Sequence, residues 1–190
     1  MTRIASKSAL LALMVASGLA GQSVADPLHE FGNDGAWRHV DSGWMFPLAV
    51  SDFSRIGQPY NIDGNNDAGA EYRSAQVAAE VDVFAADSGA TDATFDGAKS
   101  TAARKAGEAA RARGEQAFQL DALRDVKGVK VSYAAEASGA QTNLYYFTTD
   151  KWRVKVLASS QVRGKDGDQA VDAFVRALPW ETLGTESGLH

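Results

Sequence analysis

Val77, Ala79, Val81 and Val83 fall on one side of an alternating stretch, with Glu80 and Asp82 on the other. That two-residue period predicts a strand with one buried face. Ahead of it, Trp44 to Val50 is apolar, Phe53 follows, and Asn61 to Gly69 is rich in turn residues. Residues 26–42 mix charges, glycines, Phe31 and Trp37 without a clean period and read as an irregular lead-in. After residue 90 the period changes. Phe95, Ala98, Ala102, Ala106 and Ala109 recur at three- and four-residue spacing, Asp92 and Asp96 sit early, Arg111 and Arg113 late, and Gly114 follows. This predicts one helix reaching to Gly114.

Four strand-like runs come next. Phe118, Leu120 and Ala122 alternate in the first, and Val129, Val131, Tyr133 and Ala135 in the second. The third and fourth, Asn143 to Thr148 and Trp152 to Ala158, flank Thr149-Asp150-Lys151 as a hairpin. In the last, Trp152, Val154, Val156 and Ala158 share a face and Arg153 and Lys155 point the other way. A second helix carries Ala170, Val171, Phe174, Val175 and Leu178 and stops at Pro179. The expected fold class is therefore α+β: a mostly antiparallel sheet with one wet side and two helices packed on the other face. It would form one domain over residues 43–180, with a tail at 181–190.

The start of the chain adds a compartment. Arg3 and Lys7 precede the apolar run Ala9 to Ala16, and Ser23-Val24-Ala25 offers small residues for cleavage, so residues 1–25 read as an export signal. The run is far shorter than the roughly 20 residues that span a bilayer. No cysteine is present to carry a lipid, and stable membrane insertion is not expected. The expected location is periplasmic or secreted. Removing Arg3 and Lys7 lowers the 19 basic side chains to 17, against 24 acids. Such a balance disfavours nucleic acid as a partner.

Candidate chemistry is sparse. The absence of cysteine removes thiol catalysis and thiolate metal sites. His29, His39 and His190 show no paired ligand spacing, and no Gly-x-Ser-x-Gly elbow or phosphate-cradling glycine loop occurs. Asp63, Asn65 and Asp67 have the spacing of the first EF-hand ligands. Ala68 and Ser74 stand where the turn glycine and closing glutamate belong, so the segment reads as a turn. No cofactor is expected.

Several aromatic placements accompany the element order: Gly43-Trp44-Met45-Phe46-Pro47, Leu144-Tyr145-Tyr146-Phe147, Trp152-Arg153-Val154-Lys155-Val156 and Leu178-Pro179-Trp180. In these the chain resembles the PsbP and DcrB group of α+β proteins over roughly residues 43–180. The resemblance implies an accessory or interaction protein; the group shares no catalytic motif, so no functional residue carries over.

The expected function is recognition of an envelope protein partner or ligand. Tyrosine and arginine are the residues that most often anchor interfaces. Tyr145, Phe147, Arg153 and Lys155 on the hairpin, with Arg55 and Tyr60 near the turn-rich loop, are the candidate partner-binding residues. The alternative is a hydrolase of envelope polymers whose acids the sequence does not identify.

Overall fold

The computed structural model describes residues 27–62, 66–121, 123, 126–134, 140–160 and 165–185. The expected export signal lies outside the described residues, as do Asp63 and Asn65 of the turn-rich loop.

The lead-in is not irregular. Leu28–Phe31 (β1) and Ala36–His39 (β2) pair as a hairpin, and Met45–Phe46 (β3) adds to β2, giving a small antiparallel sheet ordered β1-β2-β3. Gly32 and Gly35, at φ 73° and 72°, make the turn. Strands of four residues complete too few alternations to register as a period. β1 buries only Leu28.

The main sheet contains Ala49–Val50 (β4), Phe53–Ile62 (β5), Asp67–Arg73 (β6) and Val77–Ala85 (β7). After a 3-10 turn at Thr91–Ala93 and the helix Phe95–Ala106 (α1) come Arg111–Phe118 (β8), Lys127–Ala134 (β9), Gln141–Thr148 (β10) and Trp152–Ser160 (β11). Lys165–Ala177 (α2) and a 3-10 turn at Trp180–Thr182 complete the fold. The order is β4-β5-β6-β7-β11-β10-β9-β8 and each pairing is antiparallel. The expected hairpin of β10 and β11 forms, with Tyr145 opposite Val156 and Phe147 opposite Val154.

The two helices lie on opposite faces of this sheet rather than on one. α2 brings Val171, Phe174 and Val175 against Phe53, Tyr72, Val81, Val83, Tyr145, Phe147, Val154 and Val156. α1 sets Ala98 and Ala102 on Val131, Tyr133, Leu144, Tyr146 and Leu157. The reason is visible in β10. Leu144-Tyr145-Tyr146-Phe147 is apolar at successive positions, so side chains on both faces need cover, and all four residues are buried.

α1 also ends earlier than its alanine period implies. Thr94 caps its start by accepting from the Gly97 N–H at 3.1 Å, and Gly107, at φ 97°, closes it. Arg111 and Arg113 therefore belong to β8, the long free edge of the sheet. β8 is exposed at every residue but Phe118, so burial imposes no alternation on its sequence. Its charges, and an irregularity between Ala112 and Glu115 around Gly114 at φ 115°, blunt the open edge against stray pairing.

With twelve residues, α1 covers only the β9–β11 half of its face. The same face over β5–β7 stays open, and the most unusual chemistry of the chain lies along that boundary.

Candidate functional site

Strand pairing creates the site. Lys155 of β11 sits directly opposite Asp82 of β7. Both side chains project to the α1 face, where the 3-10 turn brings Asp92 over them. Lys155 is 1% exposed, and its Nζ reaches Asp82 Oδ2 at 2.7 Å, Asp92 Oδ2 at 2.7 Å and Glu80 Oε1 at 3.1 Å. Lys105 of α1 pairs with the other Glu80 oxygen, and Thr101 donates to Asp92 Oδ1 at 2.7 Å. A lysine this deep is tolerated because each of its three donors meets a carboxylate.

Neighbouring acids respond in opposite directions. Burial pushes the Asp82 carboxyl up, to about 7; Lys155 pulls against this, while the nearby Glu80 charge reinforces it. At Glu80 burial acts in the same upward sense, but Lys155 and Lys105 overcome it and hold the group down near 2. Exposure accounts for the difference, since the Glu80 side chain is 21% accessible and meets two lysines, whereas Asp82 is 3% accessible and meets one. Lys155 is correspondingly held above its ordinary value: burial alone would lower it, but Asp82 and Glu80 prevail.

Tyr60 forms the outer edge of the cluster. It faces Gly69 across β5 and β6, and its hydroxyl donates to Asp82 Oδ1 at 3.2 Å. Gly69 is required there: a Cβ would stand 2.3 Å from Asp82 Oδ1 and 2.7 Å from the tyrosine ring. Burial and the Asp82 charge raise the Tyr60 phenol above its ordinary value, so it remains a donor at physiological pH. Tyr60, Phe84, Thr91, Asp92 and Lys155 line a cleft of about 260 Å³. At Glu80 it meets a hollow of about 210 Å³ floored by Ala78 and edged by Ile56, Glu71 and Arg73. That continues into a trough of about 590 Å³ bounded by Arg73, Lys105, Thr142 and Ser159. Together the three form one groove between α1 and the open half of the sheet.

The outward placement expected for the candidate partner-binding residues needs correction. Tyr145 and Phe147 are fully buried on the α2 face; Tyr145 donates to Asp172 at 2.5 Å, and Phe147 packs on Phe118 and Trp180. Lys155 lies on the opposite side of the sheet, buried in the ion cluster. Arg55 is 8% exposed and donates to the backbone oxygens of Phe46, Gly35 and Gly57, which fastens the small sheet to β5. Arg153 is half-buried and holds the Thr149 carbonyl of its own hairpin at 2.6 Å. Only Tyr60, at 37%, presents substantial surface. Of the six, Tyr60 and Lys155 meet at one site. Asp67, considered above as a calcium ligand, instead receives the Ala85 N–H at 2.8 Å and the Ser88 hydroxyl.

Sequence patterning missed Glu80, Asp82 and Asp92 as partners of Lys155, and Arg73 as a groove residue. A signal existed for the first two: acids on the polar face of one strand and a lysine on the polar face of another are complementary if those strands pair.

His39 is fully buried in β2. Ser42 Oγ accepts from the Trp44 N–H at 3.1 Å and lies 2.7 Å from His39 Nδ1. Nδ1 and the serine oxygen share that one hydrogen bond, and Nε2 has no hydrogen-bond partner among the described residues. The imidazole and the Trp152 ring stand perpendicular, with ring centres 5.7 Å apart. Burial lowers the imidazole pKa; Asp41, Asp67 and the Asn66 backbone oppose this without overcoming it. The unfolded chain therefore takes up this proton more readily, and the contribution of neutral His39, complete above about pH 6.5, is lost as pH falls further. The effect should reach at most about 1.4 kcal/mol per pH unit. Asp82 contributes the opposite slope, so the decisive measurement is the difference between the parent and His39→Phe in urea unfolding from pH 7.5 to 5.0. Parallel profiles would refute the assignment.

No protein-family model matches the chain, and no curated protein matches its sequence. Among the described residues no helix is long and apolar enough to cross a membrane.

Proposed function

We propose that this is an exported protein of the cell envelope that acts by binding, and that the groove beside α1 is its recognition surface. One observation carries the reading. A short α1 leaves half of a sheet face open, and Ile56 at 45% and Tyr60 at 37% exposure border the clefts beside the ion cluster. Large apolar side chains on a preformed concave surface suit association. The segment at residues 1–25 supports export, and the resemblance to the PsbP and DcrB group supports an accessory role.

The opposed acids Glu80 and Asp82 resemble a general acid and base in their shifts. Their oxygens, however, are already engaged: Asp82 by Tyr60 and Lys155, Glu80 by Lys155 and Lys105. This favours recognition over hydrolysis, which needs a carboxyl group free to reach substrate.

Ile56→Glu tests the reading. The side chain is 45% exposed and stands opposite Glu71 on β6, so the substitution should cost no more than about 1.5 kcal/mol of folding stability. The mature parent chain should retain a specific partner from envelope extract, identified by mass spectrometry, that the variant fails to retain. Equal retention by both would remove the groove from consideration.

A further inference from the structure

We propose that the trough at the far end of the groove is a carboxylate site, in which Arg73, Lys105 and the Thr142–Ser159 hydroxyl pair hold one carboxylate of the bound partner over Ala78. The inference rests on the groove being the recognition surface and names the group that this surface takes.

Strand pairing builds the site. Arg73 of β6, Ala78 of β7, Ser159 of β11 and Thr142 of β10 stand level in one row across the sheet. Their chain neighbours Tyr72, Ala79 and Ala158 are buried in the core on the α2 face, which turns Arg73, Ala78 and Ser159 to the side of α1. Two strand spacings, about 10 Å, separate Arg73 from Ser159, and Ala78 places only a methyl group between them. Lys105 of α1 borders the same gap: with Arg73, Ala78 and Ser159 it lines both the trough and the adjoining hollow.

Donors converge here without acceptors. Arg73 is exposed and makes no hydrogen bond or ion pair among the described residues. Lys105 directs one of its three donors to Glu80, and its side chain is 48% accessible. Thr142 Oγ1 and Ser159 Oγ lie 3.2 Å apart; one hydrogen bond between two hydroxyls leaves one O–H with no acceptor among the described residues. A fitting ligand must bring acceptors, and the planar Arg73 fork matches the two oxygens of a carboxylate. A single charge suits the site better than a dianion such as phosphate. Glu71 stands two residues from Arg73 on the same face, and Glu80, opposite Glu71, takes part of the Lys105 charge. The negative end of α1 is softened, because the Gly107 N–H donates to the Ala103 and Arg104 carbonyls. A trough of about 590 Å³ exceeds what one carboxylate fills, so the group arrives on a larger body whose apolar part lies toward Ile56 in the hollow.

Butyrate, butyramide and inorganic phosphate, titrated separately at pH 7 and low salt into the full mature chain, probe the site through backbone amide chemical shifts. Capture from envelope extract tests where the carboxylate comes from. Butyrate should shift the amides of Arg73, Ala78 and Ser159 saturably, butyramide should bind about tenfold more weakly, and phosphate no tighter than butyrate. Arg73→Gln, a change at an exposed side chain, should keep the parent's melting temperature, weaken butyrate about tenfold and lose the partner that the parent retains. No saturable shift with butyrate, or equal binding of butyramide, would overturn the site, and tighter binding of phosphate would overturn the carboxylate as its ligand. If butyrate binds but Arg73→Gln still holds the partner, the partner is overturned as the source and a free small acid takes its place. Equal partner retention by Ile56→Glu, with butyrate still bound at Arg73, would overturn the recognition surface and leave the carboxylate site standing.

Discussion

Lys155→Met is expected to destabilise the fold by about 3–5 kcal/mol, although the two side chains are similar in length. The substitution removes the one cation shared by Asp82, Asp92 and Glu80, and Lys155 is 1% exposed, so the charge is lost from a site that meets solvent only at its edge. Burial then acts on Asp82 with no cation against it, while Lys105 still faces Glu80. The loss should depend on pH in a defined direction. In the parent, Glu80 is held near 2, so its contribution is present above its unfolded value of 4.5 and disappears as pH falls from there toward 2. In the parent Asp82, raised to about 7, already gains stability as pH falls; without Lys155 its carboxyl is pushed higher still, so proton uptake stabilises the variant more than the parent over this range. The gap between parent and variant should therefore narrow from pH 7.5 to 4.5. Adding Asp82→Asn to Lys155→Met should recover part of the loss at pH 7.5, since it neutralises the most buried of the orphaned acids. Urea midpoints at the two pH values measure all three effects; a loss below about 1 kcal/mol would mean that the cluster is solvated.

The same residue shows how far strand alternation carries. Alternation placed Lys155 correctly on the face opposite Val154 and Val156, but a face is wet only if no second layer covers it. That layer arrives from α1 and the Thr91–Ala93 turn, some sixty residues earlier in the chain. The corrective signal was local in β10, where the unbroken run Leu144 to Phe147 requires cover on both faces. It was also distributed, in the matching charges of Glu80, Asp82 and Lys155, which become neighbours only once β11 pairs with β7. Tyr145 and Phe147 were misplaced because tyrosine beside lysine resembles an interface when only one side of a sheet is taken to be buried. Element order in the second half is legible since β9 and β11 each complete several alternations and β10 between them is an unbroken apolar run. β1, β2 and β8 are not, the first two being short and the third an edge whose residues burial does not constrain. Arg73 is a groove residue by register with Ala78, a relation no local pattern contains.

Trp180→Ala is expected to cost about 3–5 kcal/mol and to loosen the small sheet before the large one. Trp180 is 1% exposed and packs edge-on to Trp44, with ring centres 5.1 Å apart, and against Phe147 at 4.4 Å. Its Nε1–H donates to the Val175 carbonyl at 2.6 Å, near the end of α2. Around it the chain after α2 is joined to the small sheet: the Met45 N–H donates to Thr182 Oγ1 at 3.2 Å, the Gly184 N–H to the Ser42 carbonyl at 2.7 Å, and Arg38 to the Thr185 carbonyl at 3.2 Å. The approach is close enough that a Cβ on Gly43 would lie 2.4 Å from the Thr185 carbonyl oxygen. Truncating Trp180 thus empties the wedge that holds β2 and β3 in place, whereas Trp180→Phe keeps an aromatic ring there and loses the Val175 bond, for a cost of about 1–3 kcal/mol. Hydrogen exchange separates this account from a general loss of core volume. In Trp180→Ala, protection of β2 and β3 should fall well before that of β10 and β11, and a Trp44→Ala, Trp180→Ala cycle should show coupling of about 0.5–1.5 kcal/mol. Uniform loss of protection across both sheets would mean that Trp180 fills the common core without tying the small sheet to it.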